Sequence, residues 1–431
     1  MTTISIIGAG STVFVKKLLG DIFLSEIPGA LDIRLMDIDP ARLDTSEGMA
    51  RTLARSTGRA AQIRATTDRS AALDGADFVI VLIQVGGYRP ATVIDFEVPQ
   101  NMGLRQTIGD TLGAGGILRG FRTAPVLVDI GRDMMRLCPD ALMLQYVNPM
   151  AINCWALQRM VPGLRVVGLC HSVRNTAQML ADHLGEPLAD IRYECSGINH
   201  MAFFTRFEKH GPGGVEDLYP RLNRVTPPME ERVRYDILKR FGYFVTESSE
   251  HFSEYVPWFI KAGREDLIET FAIPLNEYPR RCEEQIARWD QMATEIASAQ
   301  TFEVVRSDEY ASEIIEAQVL DRPCLIHGNV PNTGLIPNLP EGCCVEVPCL
   351  VDANGVQPVR SGPLPAHLAA LMLTNVAPQI CAVEAIVQND PQMLRRALAL
   401  DPHTGAELSL DEIWQLADSL LGEHGSQAYA S

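Results

Sequence analysis

The sequence predicts an α/β fold in which a doubly wound parallel sheet is followed by a second, mixed α+β domain. Short apolar runs alternate with helix-like stretches over residues 1–170, which is typical of parallel strands covered by helices on both faces. A glycine turn follows the first run directly, and an acidic residue ends the second. The pattern changes near residue 191, so we expect two domains, residues 1–190 and residues 191–431.

Composition narrows the class of protein before any motif is considered. The chain of 431 residues is 46% hydrophobic and can bury a large core. Its net charge of −17 argues against nucleic acid and anionic membranes as partners. No apolar run is expected to span a bilayer, and the N-terminus has no features of a secretory signal. The 10 cysteines are expected to be free thiols in a reducing cytoplasm.

Six short apolar runs are expected to form the parallel sheet of the first domain. They span residues 4–7, 33–36, 62–66, 77–83, 142–147 and 165–169. Helices are expected over residues 40–56, 119–135 and 151–160. The glycine-rich segment 85–118 is expected to be irregular, and such long segments are usually functional or mobile.

The second half is expected to be a mixed domain that closes over the edge of the sheet. Its strands are predicted over residues 191–198, 203–208, 325–328 and 344–350, and the first two are candidates for a pair. Its helices are predicted over residues 230–241, 281–298, 307–318 and 366–387.

The first strand leads into the sequence GAGS, a turn typical of dinucleotide-binding folds. Gly8 and Gly10 let the backbone approach a pyrophosphate, and Ser11 opens a helix whose free N–H groups favour the anion. Asp37 ends the second strand, where a carboxylate accepts hydrogen bonds from an adenosine ribose. Val13 stands where the third glycine of the fingerprint would be. A helix cap at Ser11 with a surface Asp37 is the structural alternative.

Ligands of open parallel sheets bind beyond the carboxyl ends of the strands. Besides the glycine turn, Gln84, Asn148 and the pair Cys170-His171 all follow predicted strands. Their convergence on one sheet edge is the main reason for expecting the site there.

Cys170 and His200 each follow a predicted strand and are candidate metal ligands. Thiolate and imidazole together suit zinc, iron, cobalt or manganese rather than calcium. Their separation is unlike that of a closed structural zinc site, so a metal here would keep open positions for substrate oxygens. Spacing alone favours the plainer alternative, a small buried cysteine and a hydrogen-bonded histidine.

Longer motifs carry a family resemblance over essentially the whole chain. They are GAGST, LMDIDP, GADFV, VGGYRP, IGDTLGAGGILRGFRT, YVNPMA, GLCHSV, GINHMAF and GYFVTESSEHFSEYVPWFIKAGREDLIE. The sequence resembles family 4 of the glycoside hydrolases, and its first half is similar to lactate and malate dehydrogenases. The resemblance implies a Rossmann-like domain, NAD and a divalent metal, usually Mn2+, as cofactors, and a homo-dimer or homo-tetramer.

The resemblance also implies hydrolysis without net redox change. Bound NAD takes hydride from carbon 3 of the sugar, and a base removes the proton on carbon 2. The leaving group departs from carbon 1, water adds to the enone, and the hydride returns. NAD is therefore implied as a catalyst and not as a co-substrate.

Individual residues acquire roles through this resemblance. Cys170 and His200 match the metal ligands, and Asn148 matches a residue that holds sugar hydroxyls. Asp110 matches an acid proposed to tune the catalytic base. His171 stands where another branch carries an aspartate, proposed as general acid, and either that role or a hydrogen bond to the substrate is open.

The base and the sugar contacts are less specific. Tyr243 is the expected base by position, with Glu247 as the alternative, and a core-packed Tyr243 is equally compatible with the sequence. Arg89 resembles a substrate-contacting arginine but is offset from it, so a surface ion pair is an equal alternative. Glu250 and His251 are compatible with a solvated helix face.

The string CHSV resembles the α-galactosidase branch and implies melibiose-type α-galactosides as substrates. An α-galacturonidase group shares CHSV, and its carboxylate substrates would call for a dedicated arginine. An NAD-dependent sugar dehydrogenase is the rival from another class, although a simple hydroxy-acid dehydrogenase would not need Cys170 and His200 as ligands. A sugar-binding and NAD-binding regulator is the third hypothesis.

Overall fold

The computed structural model describes residues 1–425, and within them 13 strands form one mixed sheet. The strands are β1 (Thr2–Ile7), β2 (Leu31–Met36), β3 (Ala61–Thr66), β4 (Phe78–Val81), β5 (Leu142–Gln145), β6 (Val166–Leu169), β7 (Ile191–Ile198), β8 (Met201–Gly211), β9 (Gly214–Asp217), β10 (Phe244–Val245), β11 (Cys324–Pro331), β12 (Cys344–Asp352) and β13 (Gly355–Pro358). Their order is β10-β8-β7-β12-β11-β6-β5-β4-β1-β2-β3, with β9 on β8 and β13 on β12.

Helices cover the sheet and build the outer parts of the molecule. They are α1 (Thr12–Phe23), α2 (Pro40–Thr57), α3 (Arg69–Leu73), α4 (Val93–Asn101), α5 (Gly113–Leu137), α6 (Met150–Met160), α7 (Ser172–Leu184), α8 (Tyr219–Leu222), α9 (Arg232–Phe241), α10 (Ser249–Ser253), α11 (Glu265–Phe271), α12 (Glu277–Ala287), α13 (Trp289–Ser298), α14 (Ala311–Leu320), α15 (Ala366–Gln388), α16 (Pro391–Leu400), α17 (Pro402–Glu407) and α18 (Leu410–Gly425).

The strands β3-β2-β1-β4-β5-β6 are parallel and confirm the predicted doubly wound sheet. Strands β1, β4 and β5 are buried on both faces, as continuous apolar runs require, whereas the edge strand β3 exposes Gln62 and Arg64 on one face. In β4, Ile80 packs into one hydrophobic core, whereas Val79 and Val81 pack into a second one. The carboxyl ends of these six strands therefore form one edge, which is where ligands of such sheets bind.

The strands of the second half continue this same sheet in antiparallel fashion. β11 pairs with β6, β12 with β11, β7 with β12, and β8 with β7. The expected pairing of the strands near 191–198 and 203–208 is confirmed, with Ile198 opposite Met201 across a tight turn. This turn places residues 199 and 200 close to the carboxyl end of β6.

The prediction that segment 85–118 is irregular is wrong over part of its length. The structure has a short helical turn at Gly87–Thr92, then α4, and α5 already begins at Gly113. Glycines in α5 serve close packing: a Cβ on Gly115 would lie 2.6 Å from the Gly109 carbonyl oxygen, and one on Gly116 would lie 2.5 Å from the Thr111 carbonyl carbon.

Two further helix predictions differ at their boundaries. The helix expected over 281–298 is two helices, α12 and α13, and the helix expected over 307–318 begins only at Ala311. The expectation that no stretch is long and apolar enough for a bilayer is also wrong by length and composition, because α15 meets both criteria. However, 56% of its apolar window is buried inside the protein, and the core helix of a soluble protein passes the same test.

Candidate active site

The turn after β1 is built by two glycines that the surrounding backbone requires. Gly8 has a φ of +90°, and a Cβ there would lie 2.8 Å from the backbone nitrogen of Ile83. The Gly10 N–H donates to Asp37 Oδ2 at 2.6 Å, and a Cβ on Gly10 would lie 2.7 Å from the same oxygen. Ser11 precedes α1 and makes no side-chain cap bond within the described part of the chain, so its hydroxyl and the first N–H groups of α1 can serve a ligand.

Asp37 is held between the turn and the start of α2. Its Oδ2 accepts from Gly10 N, and its Oδ1 accepts from Asp39 N at 2.9 Å. A carboxylate oxygen has two lone pairs, so both oxygens retain acceptor capacity for a ribose hydroxyl. The geometry of Asp37 therefore allows the contact with an adenosine ribose that the sequence predicts for it.

A cavity of about 220 Å³ lies beside this turn, at the carboxyl edge of the parallel strands. It brings together several of the sequence-predicted residues with others from α1, α5 and the segments that follow β4 and β5. Its lining is Ser11, Phe14, Leu82, Ile83, Gln84, Asp110, Arg119, Tyr146, Val147 and Asn148. Gln84 Nε2 also donates to Thr92 Oγ1 at 3.2 Å, which orients the Gln84 amide.

Three potential ligand atoms meet next to this edge. Cys170 follows β6, His200 lies in the β7–β8 turn, and Glu247 follows β10. Cys170 Sγ lies 3.4 Å from His200 Nε2 and 3.9 Å from Glu247 Oε2, and His200 Nε2 lies 3.4 Å from Glu247 Oε2. All three ligand atoms lie within 4.8 Å of one another, which a single ion can bridge.

Backbone strain marks two of these three residues. His200 has a φ of +62° and Glu247 a φ of +65°, both in the left-handed region that non-glycine residues seldom adopt. Such conformations cost free energy and cluster at functional sites, where the surroundings hold them. Here each strained residue brings its side chain to Cys170.

The hydrogen bonds of the His200 ring select its tautomer. Asp110 as a carboxylate only accepts, so Thr111 donates its hydroxyl proton to Asp110 Oδ1 at 2.8 Å. Thr111 Oγ1 then accepts from His200 Nδ1, which lies 3.2 Å away, and Tyr255 OH lies 3.1 Å from the same nitrogen. With the proton on Nδ1, the lone pair of Nε2 faces Cys170 and Glu247, as a metal ligand requires.

Burial shapes the ionisation of the ligands. It lowers the pKa of His200 to about 4, so the imidazole is neutral near pH 7. It raises the pKa of the Cys170 thiol, and the adjacent charge of Glu247 raises it further. A cation bound among these atoms would reverse the effect on the thiol, because it favours the thiolate. A soft thiolate, an imidazole and a carboxylate therefore fit a divalent transition metal.

Asp110 and Asn148 form a second pair at the edge of the cluster. Asn148 Nδ2 donates to Asp110 Oδ2 at 3.0 Å. Burial tends to raise the pKa of Asp110, but the charges of His251, Arg119 and His200 outweigh it and hold that pKa below its usual range. Asp110 is therefore a charged acceptor that orients the Asn148 amide.

His171 lies on the rim, next to Cys170, with its side chain 46% exposed. Its Nδ1 is 3.2 Å from Oε1 of the buried Glu309. The hydrogen bond to Glu309 raises the pKa of His171 against the opposing effect of burial. The sequence indicated His171 but not the carboxylate that faces it.

The structure does not bring Tyr243 to this cluster. Its ring packs against Tyr219 and His367, each with centroids 6.0 Å apart. Tyr243 precedes β10 and Glu247 follows it. Glu247 joins the ligand cluster instead.

His251 is not on a solvated helix face as the sequence allowed. It is buried, and its ring centroid lies 4.9 Å from that of His200. Its Nδ1 is 2.8 Å from Ser248 Oγ, and its Nε2 is 3.9 Å from Asp110 Oδ1. Thr111 and Tyr255 are site residues that sequence reasoning missed, whereas His251 was named only as compatible with a solvated helix face.

Arg89 lies on the surface and not in the cavity. Its side chain is 69% exposed, and Nη2 lies 3.7 Å from Glu283 Oε1. Arg281 is also paired, with Glu250 and Glu277 at 2.7 Å each. The surface ion pair that the sequence left open for Arg89 is the arrangement present.

Comparison with known proteins identifies the family of this chain. The family model described as "Family 4 glycosyl hydrolase" matches residues 3–186, and the model of its C-terminal domain matches residues 195–404. An alpha-galactosidase of Bacillus subtilis (strain 168) is 45% identical over 430 residues, covering 99% of this chain and 98% of the relative. An alpha-galactosidase of Rhizobium meliloti (strain 1021) is 35% identical and covers 97% of this chain and 87% of the relative.

Solved structures share the fold. A 6-phospho-alpha-glucosidase from gut microorganisms, in complex with NAD and Mn2+, superposes with a TM-score of 0.83 at 21% identity over 98% of both chains. A malate dehydrogenase of Plasmodium falciparum superposes with a TM-score of 0.50 at 14% identity, covering 91% of this chain and all (100%) of the other. The predicted dehydrogenase-like fold is thereby confirmed. The two family models together cover most of the sequence, and this chain belongs to family 4 of the glycosyl hydrolases.

Proposed function

We propose that this protein is an α-galactosidase that hydrolyses melibiose-type α-galactosides and requires NAD and Mn2+. The observation that carries the proposal is the 3.4 Å approach of Cys170 Sγ to His200 Nε2, beside the sheet edge that bears the glycine turn. A two-carboxylate glycosidase needs neither a thiol ligand nor a dinucleotide turn. The relative at 45% identity supports the α-galactoside as substrate.

The two halves of the chain have different proposed roles. We assign residues 1–190 to NAD binding and residues 191–431 to substrate binding and oligomerisation, the last six of which lie outside the described residues. Gly8, Gly10 and Ser11 would hold the pyrophosphate and Asp37 the adenosine ribose, with Gln84 in the same cavity. When bound, NAD supplies reversible hydride removal from the sugar, and Mn2+ supplies Lewis-acid stabilisation of charge on its oxygens.

The protein's own groups orient the sugar. Cys170, His200 and Glu247 would hold the metal. Asn148 uses one amide N–H on Asp110, which leaves its carbonyl oxygen and its other N–H for sugar hydroxyls. Since the charge of Asp110 fixes this orientation, Asn148 recognises hydroxyls in one arrangement only.

His171 is the proposed general acid. Its raised pKa, due to Glu309, keeps the imidazolium populated nearer to neutral pH, where it can protonate the departing glycosidic oxygen. Its exposed position on the rim suits contact with the leaving group. A hydrogen bond to the substrate without proton transfer is the alternative role.

The identity of the base has a direct test in two substitutions. The sequence favours Tyr243, whose ring packs against Tyr219 and His367, whereas Glu247 belongs to the ligand cluster and His251 Nδ1 lies 3.7 Å from Glu247 Oε1. From these positions we expect Tyr243→Phe to keep kcat within about threefold of wild type and His251→Asn to lose about 100-fold. Steady-state kinetics with α-galactoside measures both. A large loss in Tyr243→Phe alone would return the role of base to Tyr243.

The rival substrate within the family is an α-galacturonide. Its carboxylate would call for a free arginine at the site. Arg89 and Arg281 are each paired with acidic side chains. Arg119 donates from Nε to the backbone carbonyl oxygen of Asn148 and from Nη1 to Tyr278 OH. These pairings favour the neutral galactoside.

Matched nitrophenyl glycosides test the proposed activity. We expect nitrophenyl α-galactoside to be hydrolysed at least about tenfold faster than nitrophenyl α-galacturonide, measured as kcat/KM. Omission of either NAD or Mn2+ is expected to abolish turnover of both. Preferential cleavage of the galacturonide, or full activity without NAD, would overturn the proposal.

Isotopic substitution separates the hydrolase from a true sugar dehydrogenase. An α-galactoside deuterated at carbon 2 is expected to react more slowly, or to lose deuterium to solvent during turnover, because that proton is removed in the reaction. The absorbance of NADH is expected to stay constant while product accumulates. Steady NADH accumulation in proportion to turnover would identify a dehydrogenase.

We further propose that the enzyme works in the cytoplasm as a homo-dimer or homo-tetramer, with no nucleic-acid or membrane partner. Its 10 cysteines are all free, as expected in a reducing compartment. Its net charge of −17 disfavours polyanionic partners. Sedimentation of the purified protein tests the assembly.

A further inference from the structure

Glu254 is a buried carboxylate, 2% exposed, that lies just beyond α10 and has no part in the site described above. Three consecutive backbone N–H groups converge on it. Thr107 and Ile108 donate to Oε2 at 2.9 and 3.3 Å, and Gly109 donates to Oε1 at 2.8 Å. Consecutive N–H groups in this arrangement form a cradle for an anion, and the protein fills it with its own side chain.

The cradled residues form the start of the loop Thr107–Thr111, which lies within the connection between α4 and α5. Buried N–H groups require acceptors, and these three lie outside the strands and helices that would otherwise supply them. Two further bonds tie the loop down: Thr107 Oγ1 donates to the Glu250 carbonyl at 2.7 Å, and Tyr278 N donates to the Thr107 carbonyl at 3.1 Å. Glu254 is the acceptor that orders the three amides.

The loop ends in the two residues that orient the site. Asp110 accepts from Asn148, and Thr111 bridges Asp110 to His200 Nδ1. A displacement of the loop would therefore shift the Asn148 amide and the His200 imidazole at the same time. Outer partners of metal-bound histidines of this kind affect metal affinity strongly.

We propose that Glu254 is a positioning residue whose carboxylate holds the Thr107–Thr111 loop so that Asp110 and Thr111 orient Asn148 and His200. This inference rests on the proposed function, because the orientation of His200 matters for turnover only if the cluster binds the metal. The hydrogen bonds of the Glu254 carboxylate go to the loop backbone, so its hydrogen-bonded link to the ligand atoms passes through the loop, while its charge also acts on the neighbouring His251.

The variant Glu254→Gln tests it with little change in shape. An amide places N–H donors against backbone N–H donors, so at least one of the three bonds is lost. We expect the affinity for Mn2+, measured by electron paramagnetic resonance of free Mn2+, to fall about tenfold, with a similar fall in kcat. NAD affinity, measured by fluorescence, is expected to stay at the wild-type value.

Glu407→Gln is the matched control. Glu407 is also a largely buried carboxylate that accepts a backbone N–H, from Ala262 at 2.6 Å, and its other partner is Lys261. Neither partner belongs to the ligand cluster or to the loop. We expect this variant to bind Mn2+ as wild type does, whatever its melting temperature. Equal loss of Mn2+ affinity in Glu407→Gln and Glu254→Gln would show a general effect of destabilisation and overturn the inference.

A double-mutant cycle with Thr111→Val separates action through the loop from independent effects. Valine removes the hydroxyl that links Asp110 to His200. In the Thr111→Val background, Glu254→Gln is therefore expected to lower Mn2+ affinity by a further factor of less than about two. Full additivity of the two losses would overturn the inference. If Glu254→Gln does not fold, Glu254→Asp, whose shorter carboxylate cannot reach both sides of the loop, replaces it in the cycle.

The outcomes distinguish this inference from the proposed function. If the wild-type protein binds no Mn2+ at Cys170 and His200, the proposed function fails first. If wild type binds Mn2+ and Glu254→Gln binds it equally well with unchanged kcat, the inference about Glu254 fails alone.

Discussion

A Cys170→Ser variant is expected to lose Mn2+-dependent hydrolysis by roughly 100-fold or more while binding NAD as well as wild type. The serine hydroxyl does not ionise near neutral pH, so the site loses its soft anionic donor and retains one imidazole and one carboxylate. The thiol lies 3.4 Å from His200 Nε2, so its removal affects the ligand set directly. The glycine turn is built from other strands and is unaffected.

The measurement is a Mn2+ titration followed by an NAD titration on the same preparation. Cys381→Ser is the control, because Cys381 is a free, half-buried thiol on α15, away from the cluster. It should match wild type in both titrations. Wild-type Mn2+ affinity in Cys170→Ser would remove the thiol from the metal site.

A Gly8→Ala variant is expected to bind NAD about 100-fold more weakly and to lose hydrolysis in proportion. The φ of +90° at Gly8 is unfavourable for alanine. The new Cβ would also lie 2.8 Å from the Ile83 nitrogen and the Leu82 carbonyl carbon. These are backbone atoms just beyond β4, so relief requires moving the segment that lines the cavity.

Gly10→Ala provides a graded comparison, with a loss of NAD affinity nearer to tenfold, roughly 1.4 kcal/mol. Its Cβ would meet the Asp37 carboxylate, 2.7 Å away, and this side chain can move at the cost of its bond to Gly10 N. Gly48→Ala is the control. Gly48 lies in α2, and among residues 1–425 no atom outside its two chain neighbours and its own helix backbone lies within 4 Å of a Cβ placed there. Isothermal titration with NAD orders the three variants. Wild-type affinity in Gly8→Ala would place the dinucleotide elsewhere.

The parallel half of the fold was predictable because its inner strands are buried on both faces. Runs such as residues 77–83 are almost continuously apolar, which a doubly covered sheet explains. Helix α4 and the beginning of α5 were missed because their glycines and prolines resemble loop residues in sequence. The structure shows that Gly115 and Gly116 are needed for the close approach of the Thr107–Thr111 loop.

The continuation of the sheet into the second half was not predictable from local patterns. A single bridge, Glu346 opposite Gly197, joins β12 to β7 across a long separation in sequence. Periodicity identifies such strands but does not specify their partners. The sequence therefore indicates only a mixed domain for the second half.

The candidate site was predictable where side chains follow strands directly, as Cys170 and His200 do. The sequence indicates Glu247 as an alternative base, and its place among the ligands depends on the left-handed turn after β10. Thr111 lies 89 residues from His200 in sequence, and Glu254 lies 147 residues from Thr107. Contacts of that range have no sequence signal in a single chain. The same holds for the pairing of Arg89 with Glu283, which the sequence left open.

The central claim is that Cys170, His200 and Glu247 hold one divalent cation next to the NAD cavity. A crystal of the protein grown with NAD and Mn2+, with anomalous scattering recorded at the manganese absorption edge, tests it most directly. We predict one strong anomalous peak within coordination distance, about 2.0–2.6 Å, of Cys170 Sγ, His200 Nε2 and a Glu247 carboxylate oxygen. A manganese peak at any other position, with these three side chains free of metal, would contradict the account.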